Sequence, residues 1–182
     1  ILNDSGAKLL FAENFAQYQK LLSIRGQLPN IYKVILFEDA DRAAGDDWAM
    51  SFEALTRLSK RAPAEEDAHA AQRAAAIRPE QLVTFVYTSG TTGMPKGVPH
   101  THATAMAELA GLRAMLDTIK PGQVDLLFLP LSHIFGRMEI WSGHDRGLHT
   151  VFAESIDTLA AEMRATKPDL LFSVPRIYEK AY

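Results

Sequence analysis

The sequence contains no cysteine among its 182 residues. This absence excludes a disulfide framework, a thiolate zinc site and a cysteine nucleophile, and it fits a reducing cytosol. The sequence also lacks an apolar run near the roughly 20 residues that a transmembrane helix needs, and its N-terminus lacks the basic and then apolar pattern of a signal peptide. We therefore expect a cytoplasmic protein whose membrane contact is at most peripheral.

An excess of positive charge is missing as well. The 19 lysines and arginines are outnumbered by 22 acidic residues, which gives a formal net charge of −3. Such a chain has no general attraction for nucleic acid or for anionic lipid, so nucleic acid is not an expected partner and phosphate recognition requires a local site. The hydrophobic content of 47% is sufficient for a globular core.

Short aliphatic or β-branched runs alternate with longer segments that have helical spacing. This order is typical of an α/β fold with a mostly parallel sheet and flanking helices. The predicted strands are Lys8–Phe11, Lys33–Phe37, Leu82–Thr88, Asp125–Leu129, Thr150–Phe152 and Leu170–Val174. The predicted helices are Asn14–Ile24, Thr101–Leu116, Ile156–Ala165 and the segment that begins at Pro175. Residues 60–80 predict a solvated helix, and Asp39–Asp47 predicts a surface loop.

A dense run of glycine and hydroxyl residues follows the predicted strand Leu82–Thr88. Glycine lets the backbone approach a ligand, hydroxyls add neutral donors, and the lysine that follows adds a positive charge, so the run suits a polyphosphate. Lys96 lies between proline and glycine, which excludes a Walker loop, and the glycine spacing excludes a dinucleotide fingerprint. A flexible surface loop is the alternative for composition alone.

The ordered string Thr-Ser-Gly-Thr-Thr-Gly-x-Pro-Lys-Gly at residues 88–97 resembles the signature of the adenylate-forming superfamily of acyl-CoA synthetases, luciferases and adenylation domains. This resemblance implies that the loop binds the β- and γ-phosphates of ATP. The candidate binding residues are Thr88, Ser89, Gly90, Thr91, Thr92, Gly93 and Lys96, of which Lys96 is also a candidate catalytic residue.

A second motif, residues 129–137, follows the predicted strand Asp125–Leu129 and so lies at the carboxyl end where open α/β sheets bind ligands. From its position alone, His133 is either structural or functional. The motif is similar to the Pro-Leu-(Ala/Ser)-His-(Ile/Val)-Phe-x-Arg segment of long-chain fatty-acyl-CoA synthetases, which makes His133 a candidate catalytic residue that lines the acyl and adenylate pocket. Gly136 stands where many relatives have glutamate.

His100 and His102 could converge on a metal ion, but no third ligand is suggested nearby. In the superfamily a Thr-His pair enters a helix after the phosphate loop, so Thr101 is predicted to cap that helix and His102 to lie in its first turn. We assign no metal ligand in this sequence.

The C-terminal motif Val174-Pro175-Arg176-Ile177-Tyr178-Glu179-Lys180 also resembles long-chain fatty-acid CoA ligases. The resemblance runs through the whole chain, with its specific motifs between Thr84 and Tyr182. It implies that residues 1–182 are part of the large N-terminal domain and that the mobile C-terminal domain is absent. Ile1 and the uncapped helix opening at the other end suggest an internal fragment.

The resemblance implies ATP-dependent activation of a fatty acid to acyl-AMP and then to acyl-CoA, with Mg²⁺ and with coenzyme A as co-substrate. The alternatives are the adenylation part of a carboxylic acid reductase and a non-catalytic nucleotide-binding paralogue. The family's ribose-binding aspartate, its magnesium-associated glutamate and its C-terminal lysine lie downstream of these motifs, so the 182 residues alone are expected to be inactive. Acyl-chain length and oligomeric state do not follow from the sequence.

Overall fold

The computed structural model describes residues 1–61, 63–89 and 93–174 of the chain. Two compact units divide it, the first spanning residues 1–77 and the second residues 78–182. Both units combine strands with helices, and two of the three small sheets are parallel. The predicted α/β class is therefore confirmed.

The first unit is built on a parallel sheet of three strands in sequence order. These strands are β1 (Leu9–Ala12), β2 (Lys33–Leu36) and β3 (Ala49–Ser51). Helix α1 (Phe15–Leu22) crosses from β1 toward β2 and begins where the Asn14 side chain accepts a hydrogen bond from the Gln17 N–H at 3.2 Å. An asparagine at this position satisfies one of the free N–H groups of the first turn.

The core of the first unit lies between α1 and the sheet. Its buried members are Ala12, Tyr18, Leu28, Ile31, Val34, Leu36, Ala43 and Trp48. Tyr18 is buried but polar, and its hydroxyl donates to Asp46 at 2.6 Å. The predicted surface loop Asp39–Asp47 contains a short 3₁₀ helix, Ala40–Ala43, and a turn at Gly45, where φ is +90°.

Two helices complete the first unit. Helix α2 (Phe52–Lys60) begins at Ser51, whose hydroxyl accepts a hydrogen bond from the Ala54 N–H at 3.0 Å. Helix α3 (Ala64–Ala75) is exposed throughout the part for which side chains are described. The prediction of a solvated helix within residues 60–80 is thus confirmed.

The second unit opens with an antiparallel hairpin of β4 (Leu82–Thr88) and β5 (Lys96–Thr101). Helix α4 (His102–Met115) follows at once, with Thr101 and Thr104 forming a reciprocal capping box. The predicted cap at Thr101 and the first-turn position of His102 are confirmed. The hydroxyl of Thr101 accepts from the Thr104 N–H, which ends the strand and starts the helix at one residue.

The rest of the second unit is a parallel crossover. Strand β6 (Val124–Leu127) leads to helix α5 (Ile134–Arg146), which returns the chain to β7 (His149–Phe152) beside β6. Helix α6 (Leu159–Thr166) follows and contacts β6. Among the described residues, no helix is both long and apolar enough to cross a membrane.

Some predicted elements were wrong. Leu170–Val174 is not a strand, because only Leu170 forms a bridge, to Asp125 of β6. Strand β5 was missed because Gly97 and Pro99 are strand breakers, although an edge position tolerates a residue without an N–H. Helix α5 was missed because its buried face has no apolar stripe, and its buried residues are Gly136, Met138, Glu139, Ser142 and Gly143. The helix predicted from Pro175 onward lies outside the described residues.

Candidate functional site

The candidate phosphate loop is the turn of the β4–β5 hairpin. Thr88 at the end of β4 pairs with Lys96 at the start of β5, so the two strands bring both ends of the loop together. Thr88, Ser89, Gly93 and Lys96 are exposed to solvent. Gly90, Thr91 and Thr92 lie outside the described residues, and the binding role of all seven candidate loop residues stays a prediction.

The structure explains why two positions of this hairpin are glycine. Gly93 has a φ of +80°, a conformation that side chains disfavour. A Cβ atom on Gly97 would lie 2.9 Å from the ring of Tyr87, which packs across the hairpin. The loop therefore depends on glycine at both positions for its path.

Lys96 is the first residue of β5 and not part of the irregular loop. Its ammonium group makes no ion pair with any residue in the described part of the chain. An exposed, unpaired ammonium beside exposed hydroxyls fits a polyphosphate anion, because the charge and the donors face solvent together.

His133 has features of both roles that the sequence left open, the structural one and the functional one. It caps α5, since its Nδ1 accepts a hydrogen bond from the Phe135 N–H at 3.2 Å. It also lines a cavity of about 250 Å³ whose other walls are almost entirely apolar. These walls are formed by Phe128, Leu129, Pro130, Phe135, Ile156 and Val174.

Phe135 also lines a second cavity, of about 480 Å³, between α4 and α5. Ala105, Met138 and Trp141 contribute apolar surface to it, and His100 lies at its wall. These two cavities share the Phe135 side chain, so the start of α5 has open space on both sides.

Arg137 connects the start of α5 to the hairpin, a role that the sequence did not reveal. Its guanidinium donates to the Leu131 carbonyl at 2.6 Å, to the Phe85 carbonyl at 3.2 Å and to the Thr84 hydroxyl. Since Thr84 and Phe85 belong to β4, Arg137 ties the segment that carries His133 to the strand that leads into the candidate phosphate loop. No single motif predicts these contacts, because they join residues more than 50 positions apart.

The glycine that precedes Arg137 is required by packing. A Cβ atom on Gly136 would lie 2.6 Å from the Pro130 carbonyl oxygen and 2.9 Å from the Leu129 carbonyl oxygen. A glutamate at this position would need a different backbone path at residues 129–130. Arg137 has carbonyl and hydroxyl acceptors here in place of an adjacent acid.

A pair of carboxyl groups lies beneath α5. Asp125 of β6 is fully buried and Glu139 of α5 is 1% exposed, and their carboxyl groups are within hydrogen-bonding reach of each other. Burial raises the pKa of both groups, and the charge of Asp125 raises that of Glu139 further, to about 8. Neither residue belongs to a motif that is visible in the sequence.

His100 and His102 form no metal site with the other described residues, among which no three histidine, aspartate or glutamate side chains converge. His102 is the first residue of α4, and His100 is on β5. Arg176 and the rest of the C-terminal motif beyond Val174 lie outside the described residues.

The geometry defines an α/β protein with an exposed hairpin suited to phosphate and an apolar cavity at a strand end. Comparison with known families narrows this class, since the model of the AMP-binding enzyme family matches residues 1–181. The chain belongs to the AMP-binding enzyme family.

Its relatives include long-chain-fatty-acid–CoA ligases. FadD15 of Mycobacterium tuberculosis is 32% identical over 100% of this chain, which covers 29% of that protein. ACSBG2 of Xenopus laevis is 33% identical over 96% of this chain, which covers 24% of that protein. The chain therefore spans less than a third of the length of these relatives.

Solved structures of other proteins show a similar fold. A red-emitting luciferase from Phrixothrix hirtus superposes with a TM-score of 0.71 at 19% identity, over 97% of this chain and 33% of the luciferase. The N-terminal domain of FACL13 from Mycobacterium tuberculosis gives a TM-score of 0.61 at 20% identity, over 94% of this chain and 45% of that domain. At this level of identity the likeness concerns the fold.

Proposed function

We propose that this chain is part of the large N-terminal domain of a ligase that activates a fatty acid with ATP and transfers the acyl group to coenzyme A. Membership of the AMP-binding enzyme family and the names of its relatives support this assignment. The observation that carries the proposal is the Arg137 link, which joins the start of α5, where His133 and Phe135 line an apolar cavity, to the strand that leads into a phosphate-type hairpin.

The chemistry begins with a carboxylate, which is a poor acyl donor. One carboxylate oxygen attacks the α-phosphorus of ATP, the bond from that phosphorus to the pyrophosphate oxygen breaks, and acyl-AMP forms. The thiol of coenzyme A then attacks the acyl carbon, loses its proton, and AMP leaves with the carboxylate-derived oxygen. Negative charge grows on pyrophosphate in the first step, so donors already aimed at it lower the barrier.

The residues of this chain divide this task between two places. Thr88, Ser89 and Lys96 are exposed at the hairpin, where they would contact the β- and γ-phosphates. His133 faces an apolar cavity, where it would meet the carboxyl end of an acyl chain. The aliphatic and aromatic walls suit a hydrocarbon tail, because they gain from removing apolar surface from water.

Magnesium enters this proposal as the ion that accompanies ATP and shares the charge of its phosphates. Among the described residues no three histidine, aspartate or glutamate side chains form a cluster that could hold it, and no step is assigned to a metal held by this chain. Coenzyme A is a co-substrate of the second step.

The proposal is tested in the protein that contains this chain by acid-dependent exchange of pyrophosphate into ATP. A series of carboxylic acids of increasing length, assayed with coenzyme A and separately with NADPH, separates a CoA ligase from a reductase. We expect exchange with fatty acids and thioester formation with coenzyme A. ATP binding without exchange for any acid would refute the proposal in favour of a non-catalytic nucleotide-binding protein.

The cavity has its own test in the variant His133→Ala. We expect turnover with the fatty acid to fall, while the Kd for ATP alone changes little, because His133 lies in an apolar cavity. A variant that has lower thermal stability but normal kinetics would show that capping α5 is the only role of His133.

A further inference from the structure

The buried face of α5 carries two polar groups that the proposed reaction does not use. Asp125 and Glu139 are 0% and 1% exposed, and none of their four carboxyl oxygens accepts a hydrogen bond from another described group. A charged carboxylate without a donor is costly to bury, and two in contact also repel each other. The pair is stable if one carboxyl keeps its proton and donates it to the other.

The backbone around Asp125 and Glu139 fixes the positions of these two residues. Asp125 lies in the middle of β6, where it pairs with Thr150 of β7 on one side and Leu170 on the other. Glu139 lies in α5 between Gly136 and Gly143, and both glycines lie close to neighbouring segments of the second unit. A Cβ atom on Gly143 would lie 2.7 Å from the Thr150 hydroxyl, and one on Gly136 would lie 2.6 Å from the Pro130 carbonyl oxygen.

No cation among the described residues neutralises the pair. The charged groups on α5 and on the elements around it have other partners or lie at the surface. Asp145 pairs with Arg113, Arg146 donates to the carbonyls of Leu112 and Leu116, Glu162 accepts from Thr158, Asp169 accepts from the Val124 N–H, and Glu108, His144 and His149 are exposed. The pKa shifts of Asp125 and Glu139 accordingly arise from burial and from each other.

We propose that Asp125 and Glu139 share one proton, and that this acid–carboxylate hydrogen bond clamps α5 onto β6 and so positions His133 at the start of the helix. Glu139 is a positioning residue here, since it acts through the helix and not on substrate. The positioning of His133 rests on the proposed function, whereas the shared proton does not.

The shared proton predicts a pH dependence of defined sign. The folded pKa values are raised above the unfolded ones, so the stabilising effect is complete below the ordinary carboxyl pKa values and is lost as pH rises through a pKa of about 6 for Asp125 and about 8 for Glu139. Where the folded chain holds one more proton than the unfolded chain, the equilibrium constant for opening rises about tenfold per pH unit.

The experiment is residue-resolved hydrogen exchange of the 182-residue chain between pH 5 and pH 8.5, corrected for the intrinsic pH dependence of exchange. We expect the opening constant of α5 amides, including that of Phe135, to rise with pH in the wild type. In Glu139→Gln the proton of Glu139 is replaced by an amide donor that does not titrate, so the rise between about pH 6 and about pH 8 should disappear. The exposed Glu80→Gln is the matched control and should keep the wild-type profile.

A second measurement uses the unaltered chain, so it decides the question even if the Glu139 variant does not fold. Carbon-13 NMR titration of carboxyl carbons should show one aspartate and one glutamate with raised midpoints, and at neutral pH the pair should carry a single proton. Ordinary midpoints for both, or an α5 exchange profile that Glu139→Gln leaves unchanged, would overturn the proposal. A raised pair without an effect on the Phe135 amide would reject the positioning of His133 and leave the ATP and acid assays unaffected.

Discussion

Asp46 in the first unit accepts hydrogen bonds from Tyr18, Trp48 and Arg25, whereas Asp125 and Glu139 in the second unit have only each other. The Tyr18 hydroxyl is the main cause that holds the pKa of Asp46 below its usual range, with smaller contributions from the Trp48 N–H and Arg25. Burial instead raises the pKa values of Asp125 and Glu139. The same chemical group is therefore satisfied in one unit and left with an acid partner in the other.

This difference shows which part of the chain retains features that reduce its stability. The first unit satisfies its buried polar groups, as expected of a scaffold, since an unsatisfied buried group costs stability. The second unit carries the close glycine contacts of α5 and the buried acid pair, on and beneath the helix that begins after His133. Functional sites are where proteins retain such local conflicts.

The largest effect is expected at Lys96, an exposed cation that begins β5 beside the candidate phosphate loop. Lys96→Ala removes a charge that would stabilise departing pyrophosphate, and loss of such a contact costs about 2.7 to 4 kcal/mol, or roughly 100- to 1000-fold in rate. The measurement is acid-dependent pyrophosphate exchange in the protein that contains this chain. The exposed Lys120→Ala is the control, and an unchanged rate for Lys96→Ala would remove Lys96 from the site.

The second effect tests whether α5 needs its close approach to the strand ends. In Gly136→Ala the new methyl group meets the Pro130 and Leu129 carbonyl oxygens, which are backbone atoms that cannot rotate away. Overpacking of this kind costs about 1 to 3 kcal/mol. Urea unfolding followed by Trp141 fluorescence in a Trp48→Phe background reports on the second unit, because the chain has two tryptophans. Unchanged stability would mean that residues 129–130 move freely.

These two positions also show what sequence can and cannot predict. Residues 88–97 were identified from an ordered motif, and β4 was predicted with its observed bounds because its residues are β-branched, aliphatic or aromatic. Helix α5 could not be predicted, since its buried face combines one methionine with glycine, glutamate and serine, and only the fold shows that this face is buried. The Arg137 contacts and the acid pair depend on the same packing, so no local pattern signals them.

The third prediction concerns the satisfied carboxylate of the first unit. Asp46→Asn keeps an acceptor for the Trp48 N–H but removes the charge that Tyr18 and Arg25 address, so we expect a loss of about 1 to 2 kcal/mol at neutral pH. Because the pKa of Asp46 is lowered, its contribution is present above the unfolded pKa and is lost as pH falls through the folded pKa.

Trp48 fluorescence in a Trp141→Phe background measures this change, because Trp48 is buried beside Tyr18 with ring centroids 5.9 Å apart. The gap between wild type and Asp46→Asn should narrow on acidification. A gap that widened toward low pH would contradict the comparison of the two units, since it would place Asp46 with the raised pair.

The smallest effect is expected at Gly111 of α4, which provides the counterpart to Gly136. Both glycines lie within helices of the second unit, but a Cβ atom on Gly111 meets no heavy atom within 4 Å. Glycine in a helix costs roughly 0.5 to 1 kcal/mol relative to alanine, because it loses more backbone freedom on folding. Gly111→Ala should therefore stabilise the second unit by about that amount, opposite in sign to Gly136→Ala. If both variants were destabilised, tight packing at α5 would no longer explain Gly136, and a general intolerance of the second unit to substitution would account for the data better.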